Sequence, residues 1–143
     1  MNIQIRQAAV ADAPLLAGLS VQLGYPATAS EIEERLNAMG DGDKDVVFVA
    51  VLEEVVVGWI HVFCTLRLES GIFGEIGGLV VDEYFRGRGI GEKLVEKAKQ
   101  WSSENGMRTL KVRSNKVRDE AHRFYVRLGF NERKEQKVFE IVL

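Results

Sequence analysis

The sequence predicts an α/β fold, arranged as a single domain over residues 1–143 around a central mixed, mostly antiparallel sheet. Two observations carry this prediction. Short stretches rich in β-branched residues alternate with longer stretches whose apolar residues recur every three or four positions, and these patterns are typical of strands and helices respectively. The 143 residues are also enough to bury one core, and no repeat or low-complexity linker divides them.

The elements are predicted in the order βααβββαβαβ. The predicted strands cover residues 3–5, 46–52, 55–64, 75–81, 107–113 and 138–143. The predicted helices cover residues 12–23, 30–39, 90–105 and 121–128. We expect Asp12 to cap the first helix, and Ser30 with Glu33 to form a capping box for the second. Glu53 and Glu54 lie between two strands and predict a hairpin turn.

Cysteine usage and hydropathy are those of a soluble, cytoplasmic protein. Cys64 is the one cysteine, so the chain cannot form an intramolecular disulfide and fits a reducing compartment. The first residues, MNIQIRQ, lack the basic and apolar regions of a signal peptide. The longest apolar stretch, residues 46–52, is too short to cross a bilayer. We therefore expect a cytoplasmic location and no membrane partner.

The charges are unevenly distributed, although the net charge is only −2. Up to Phe85 the chain has 4 Lys and Arg against 13 Asp and Glu, and from Arg86 onward it has 15 against 8. The ordinary interpretation is a pair of solvated helix faces of opposite sign. The sharper interpretation is a basic half that binds an anionic ligand and an acidic half that faces a cationic one. Composition alone leaves both open.

A dense glycine turn separates the strand at residues 75–81 from the helix that follows it. Residues 85–91 read FRGRGIG, and glycine at this density weakens any helix or strand. A strand, a glycine turn and a helix together direct free backbone N–H groups and the helix dipole at one point, which favours phosphate. Arg86 and Arg88 add positive charge there. A single turn of this kind can also be no more than a tight connection.

The spacing of the glycines disfavours two common nucleotide motifs. The turn is not GxGxxG, and it falls past the middle of the chain, whereas a dinucleotide-binding unit has its glycines in the first strand–helix turn. A P-loop has Lys and then Ser or Thr after its last glycine, but Gly91 is followed by Glu92 and Lys93. NAD and ATP therefore fit poorly.

Two motifs together resemble the GNAT superfamily of N-acetyltransferases. Residues 79–91, LVVDEYFRGRGIG, are similar to its acetyl-CoA-binding signature Gln/Arg-x-x-Gly-x-Gly/Ala, which Arg86, Gly89 and Gly91 satisfy. Residues 114–130, SNKVRDEAHRFYVRLGF, resemble its following motif. Many members have proline where this chain has Glu83. The element order also matches, so the resemblance covers essentially the whole chain and implies a GNAT-like fold.

The resemblance implies that the protein binds acetyl-CoA. Backbone amides of the glycine turn would hold the pyrophosphate, and the pantetheine arm would lie where the strand at residues 79–81 splays from the strand at residues 107–113. Gly77 and Gly78 suit a bulge there. The residues implied for CoA binding are Leu79, Val80, Val81, Arg86, Gly87, Arg88, Gly89, Ile90, Gly91 and Asn115. We expect no metal, because two histidines and one cysteine give no ligand pattern.

The implied reaction moves an acetyl group from the thioester to a primary amine by direct attack. The amine must first lose a proton, because an alkylammonium with a pKa of about 10.4 is not a nucleophile. The resemblance gives Tyr125 the role of acid toward the CoA thiolate and gives Glu75 the role of base. The backbone N–H groups of Leu79 and Val81 would polarise the carbonyl.

Three other residues have both a functional and a packing interpretation. His61 and His122 are runner-up bases, and a packed side chain on its strand or helix is the default interpretation of each. Cys64 is expected to be a small core residue, because the direct reaction needs no covalent enzyme intermediate.

The acceptor pocket is expected around Tyr25, Leu36 and the predicted loop at residues 65–74. The acidic first half favours a cationic amine, either a small molecule or a protein amine. A homodimer is expected through the predicted terminal strand, residues 138–143. Two other functions stay open. One is a catalytically silent acyl-CoA-binding module. The other is a nucleic-acid-binding domain, which the alternation of acids and bases along the helices disfavours.

Overall fold

A five-stranded sheet is the centre of the computed structural model, which describes residues 2–113 and 119–143. The strands follow one another in chain order across the sheet: β1 (Ile3–Gln7), β2 (Asp45–Leu52), β3 (Val55–Arg67), β4 (Gly71–Val81) and β5 (Leu110–Val112). β1 to β4 pair antiparallel, and β5 runs parallel to β4. This arrangement confirms the predicted mixed, mostly antiparallel sheet of an α/β protein.

The described residues form four helices, namely α1 (Ala13–Leu23), α2 (Ala29–Met39), α3 (Ile90–Glu104) and α4 (Asp119–Arg127). Short 3₁₀ turns precede α1 at Val10–Asp12 and α3 at Glu83–Phe85. The chain packs as two compact units, Met1–Val112 and Arg113–Leu143, so α4 belongs to the second. Among the described residues, none of the helices is long and apolar enough to span a bilayer.

In the first unit, helices cover both faces of the sheet. Leu16 and Leu19 of α1 pack with Val49 of β2, whereas Lys97 of α3 lies over the ring of Phe48. Successive residues of a strand point to opposite faces, so α1 and α3 lie on opposite sides. Both leucines are at most 4% exposed, and burying a leucine side chain stabilises a fold by about 1.5–3 kcal/mol.

The local sequence explains why β2, β3 and β4 form two successive hairpins. Glu53 and Glu54 have φ values of 49° and 67°, which is the left-handed conformation of a tight turn between β2 and β3, as predicted. The loop predicted at residues 65–74 is wrong. β3 continues to Arg67 and β4 already begins at Gly71, because the cross-strand pairs Thr65–Phe73 and Arg67–Gly71 extend the ladder.

Two predicted helix caps differ from the structure. The capping box of α2 joins Thr28 and Glu31, with a bond of 3.1 Å from the Glu31 N–H to the Thr28 hydroxyl, because the helix begins at Ala29. The Ser30 and Glu33 box is therefore wrong. Asp12 directly precedes α1, but its carboxylate accepts from the Ala9 N–H and from Arg6 instead.

The predicted terminal strand at residues 138–143 is not formed. Residues 131–143 carry no helix or strand, and the apolar side chains near the end are at least 82% exposed, namely Val138, Phe139, Ile141, Val142 and Leu143. Alternating apolar residues make a strand only when a neighbouring strand completes the hydrogen-bond ladder. Within the described part of the second unit, α4 is the one regular element.

Candidate active site

The glycine turn joins the end of β4 to the start of α3. Arg86 is tied back to the strand, because its Nε donates to the Val81 carbonyl at 3.1 Å. The Arg88 guanidinium lies over the Phe85 ring, 5.1 Å from its centre. Ile90, the first residue of α3, is 1% exposed and anchors the far end of the turn in the core. The two arginines thus stand on a turn that is held at both ends.

The backbone of this turn has the geometry of an anion site. Gly87 and Gly89 both have a φ of 78°, a conformation that L side chains rarely adopt. A Cβ atom at either position would meet no atom of the described structure within 4 Å, so the space beside the backbone is open. Gly89 precedes α3, and no side chain among the described residues caps that helix. The first N–H groups of a helix have no helical acceptor and favour an anion such as phosphate.

The fold places a bulge in β4, in front of the glycine turn. His61 pairs with Gly78 and the next residue, Val62, pairs with Ile76, so Gly77 is the extra residue. A Cβ on Gly77 would lie 2.7 Å from the Phe63 ring, which excludes any side chain at that position. The bulge predicted for the two glycines is therefore present, and it bares the backbone of β4.

The second glycine of the bulge is confined in the same way. A Cβ on Gly78 would lie 2.9 Å from the Trp59 ring. The buried Nε1–H of Trp59 has no hydrogen-bond acceptor among the described residues. A buried donor without an acceptor costs about 1–3 kcal/mol, so this indole is a polar group that a ligand could satisfy.

The pairing of β4 with β5 stops before the residues implied for CoA binding. Within the described residues, β5 pairs with Gly74, Glu75 and Ile76, and β4 then continues to Val81. Val80 is buried against α1, while Leu79 and Val81 are half-buried. The backbone of this last part of β4 is paired on its β3 side.

Glu75, the base implied by the resemblance, is a buried carboxylate. It is 8% exposed and accepts a hydrogen bond of 3.1 Å from the Thr65 hydroxyl. Its cross-strand neighbour is Phe63, so it lies on the same face of the sheet as that ring. Glu75 is thus two residues from the bulge, with a partner that fixes its orientation.

Sequence reasoning missed one residue of this face, Asp45. Its carboxylate Oδ1 is in hydrogen-bond contact with Nε2 of His61, whose ring also packs on Phe63 with a centre-to-centre distance of 5.0 Å. The two residues are 16 positions apart and meet only because β2 and β3 pair in the observed register. No motif in the sequence marks the pair.

A cavity of about 380 Å³ opens beside Asp45. It is lined by Gln7, Ala8, Ala9, Val10, Leu36, Asn37, Met39, Gly40, Asp45, Val46 and Val47. Leu36, which was expected near the acceptor, lines it. Tyr25 is not among the lining residues and is 72% exposed.

The second unit contains the implied acid. Tyr125 lies on α4, where its ring meets Phe124 and Phe130 edge-to-face at 5.2 and 5.5 Å. His122 is half-buried on the same helix. Asn115 lies outside the described residues. The described residues also contain no group of three or more His, Cys, Asp and Glu that could bind a metal.

Residues 43–132 match the family model of the acetyltransferase (GNAT) domain. This match covers more than half of the chain, so the chain belongs to the GNAT family of acetyltransferases. The family and the acyltransferase class predicted from the sequence are confirmed.

Known relatives agree with this assignment. An uncharacterised N-acetyltransferase of Methanocaldococcus jannaschii is 34% identical over 93 residues, which is 64% of this chain and 41% of that protein. The chain thus spans less than half the length of that relative. Aminoglycoside N(6')-acetyltransferase type 1 of Stenotrophomonas maltophilia is 28% identical over 97% of this chain and 93% of its own. The structure of aminoglycoside N-acetyltransferase AAC(6')-Iy in complex with CoA superposes with a TM-score of 0.88 at 19% identity, over 98% of this chain and 95% of that one.

Proposed function

We propose that the protein transfers an acetyl group from acetyl-CoA to a primary amine of a small cationic molecule by direct attack. The observation that carries the proposal is the open, left-handed backbone at Gly87 and Gly89, beside Arg86 and Arg88 and at the start of a helix that no described side chain caps. That cradle fits a pyrophosphate, because a Cβ would take up the space where an oxygen meets the N–H groups.

We assign the CoA contacts to the residues that the resemblance implies. The turn from Arg86 to Gly91 would hold the pyrophosphate, and Leu79, Val80 and Val81 would accompany the pantetheine arm, with Asn115 as a further contact. When bound, acetyl-CoA supplies an activated acetyl thioester. Two supporting observations are that, within the described residues, β5 pairs with β4 up to Ile76, and that the bulge at Gly77 precedes Leu79.

Two protons must move in this reaction. We propose that Tyr125 donates one to the departing thiolate, since its phenol is both a donor and an acceptor. The base is one of the two candidates that the sequence offered, Glu75, acting directly or through a water, or His61. The Glu75 carboxylate is held by Thr65, and the His61 imidazole is held by Asp45. Such contacts matter because a base must be oriented before it can act.

A cationic amine is the proposed acceptor. The first half of the chain carries 13 acids against 4 bases, and Asp45 lines the cavity beside β2. Aminoglycosides are cationic amines, and the name of the bacterial relative refers to them. A cytoplasmic location and a homodimer are also part of the proposal. The exposed apolar side chains of residues 138–143 support the homodimer, because such a patch favours association.

The test combines ligand binding with turnover. The protein purified without harsh washing is examined by mass spectrometry for bound CoA, and acetyl-CoA is then offered with a panel of diamines, polyamines, aminoglycosides and lysine peptides. We expect a thermal shift with acetyl-CoA and acetylation of at least one small cationic amine. No shift at millimolar acetyl-CoA would refute the proposal. Binding without any turnover would instead favour the silent acyl-CoA-binding module.

A further inference from the structure

The contact between Asp45 and His61 fixes which ring nitrogen can act as a base. An ionised carboxylate can only accept, so Nε2 of His61 carries the hydrogen that Asp45 Oδ1 binds. The neutral ring then has its lone pair on Nδ1. Asp45 has a side chain that is 42% exposed and that of His61 is 25% exposed, so solvent and small molecules can approach the pair.

The free nitrogen faces the bulge in β4. Nδ1 of His61 lies 3.0 Å from the position that a Cβ atom on Gly77 would take. Gly77 and Gly78 have no side chains, so the bare backbone of β4 lies directly beside this lone pair. The rings of Phe63 and Trp59 border the same positions and provide apolar walls. The two glycines therefore let the imidazole and these two rings pack directly on the backbone of β4.

The other charged group of this face is less suited to take a proton. The Glu75 carboxylate is 8% exposed and already accepts from Thr65, whereas the His61 side chain is 25% exposed. A buried carboxylate two residues from the bulge still attracts an ammonium group. The face thus has a carboxylate that attracts the amine and an imidazole that can accept a proton from it.

We propose that His61 is the base and that Asp45 is its positioning residue, with Glu75 attracting the acceptor; this rests on the proposed function. The N–H bond of the ammonium breaks, its electron pair stays on nitrogen and the proton binds Nδ1. The amine nitrogen forms the C–N bond as the C–S bond breaks. The nitrogen then loses a second proton and the departing thiolate gains one, so these two proton transfers balance. The imidazolium releases its proton to water. One ammonium and one acetyl thioester give one amide, one thiol and one proton.

Substitutions separate the two roles. His61→Ala is expected to lower kcat by about 100-fold or more, because general base catalysis contributes about 10²–10⁴-fold. The KM for acetyl-CoA stays within about twofold, since this residue is assigned to the amine. Added imidazole restores part of the lost rate. Asp45→Asn lowers kcat by about tenfold or more, and Asp45→Glu keeps part of it. The control is Asp43→Asn, the same change at an exposed carboxylate two residues away, which keeps the wild-type rate.

A readout without turnover tests the positioning role. In ¹⁵N-labelled wild-type protein, the neutral His61 ring is expected as the Nε2–H tautomer, and Asp45→Asn reduces that preference. Three results would overturn the inference: an Nδ1–H tautomer in the wild type, a His61→Ala kcat within about threefold of wild type, or a folded His61→Ala that imidazole does not rescue. If the wild type transfers acetyl groups and the His61 and Asp45 variants do so equally well, this inference is overturned while the proposed function stands. No transfer by the wild type overturns the proposed function and this inference with it.

Discussion

Replacing Gly89 by alanine separates strain from ligand contact, because the structure provides a matched control on the same helix. Gly89 has a φ of 78° at the start of α3, and Gly106 has a φ of 79° just beyond its end. A Cβ at either position would meet nothing within 4 Å. Both alanines therefore suffer the same left-handed strain and no clash. That strain costs about 1–2 kcal/mol, or roughly 3–7 °C in melting temperature for a chain of this length.

The two variants should differ only when acetyl-CoA is present. If a phosphate oxygen meets the backbone at Gly89, a methyl group there weakens binding by about tenfold or more. At saturating ligand, each tenfold loss removes about 1.4 kcal/mol of ligand-induced stabilisation, or roughly 4–5 °C of the thermal shift. Gly106→Ala should keep the full shift. Scanning fluorimetry over a series of acetyl-CoA concentrations measures both effects. Equal ligand-induced shifts in the two variants would show that the ligand does not reach Gly89.

Three further outcomes are expected. Tyr125→Phe should lower kcat by about 100-fold while the KM for acetyl-CoA changes little, because the hydroxyl is assigned to the departing thiolate; full kcat in a steady-state assay would make the tyrosine a packing residue. The hydrogen bond from Arg6 lowers the pKa of Asp12 in the folded protein. The pair therefore stabilises the fold fully above the pKa of an unfolded aspartate, about 3.9, and this stabilisation is lost as the pH falls through the lower pKa of the folded state. In urea unfolding, Asp12→Asn should thus cost about 1.5–3 kcal/mol at pH 7 and progressively less in acid; an equal cost at pH 7 and pH 2 would contradict the pairing. Light scattering should give the mass of a dimer for the wild type and the mass of a monomer for the double variant Phe139→Ser and Ile141→Ser. A wild-type protein that is monomeric at high micromolar concentration would refute the homodimer.

The parts of the fold that local chemistry determines were predictable from the sequence. The hairpin at Glu53 and Glu54, the bulge at Gly77 and the glycine turn each depend on residues within a few positions of one another. The family followed from two such stretches in the correct order. In each case the signal lies in the conformational preferences of a short segment.

The parts that depend on strand register were not predictable. Asp45 and His61 meet only through the pairing of Val47 with His61 and of Asp45 with Phe63, and a shift of one residue would have sent their side chains to opposite faces. The predicted terminal strand failed for a related reason, since the described part of the second unit contains no strand beside its alternating residues. Long-range pairing is an energetic property of the whole sheet rather than of either segment.

The anchoring of the glycine turn has a consequence for how tightly a ligand can be held. Ordering one backbone residue costs about 1–2 kcal/mol, so a seven-residue segment that became ordered only on binding would lose roughly 7–14 kcal/mol of affinity. Here the Arg86 side chain fixes one end to Val81, and Ile90 is already part of the core at the other. Most of that entropy is therefore lost during folding, before any ligand arrives. The heat-capacity change of binding should then reflect buried surface alone, without a contribution from coupled folding.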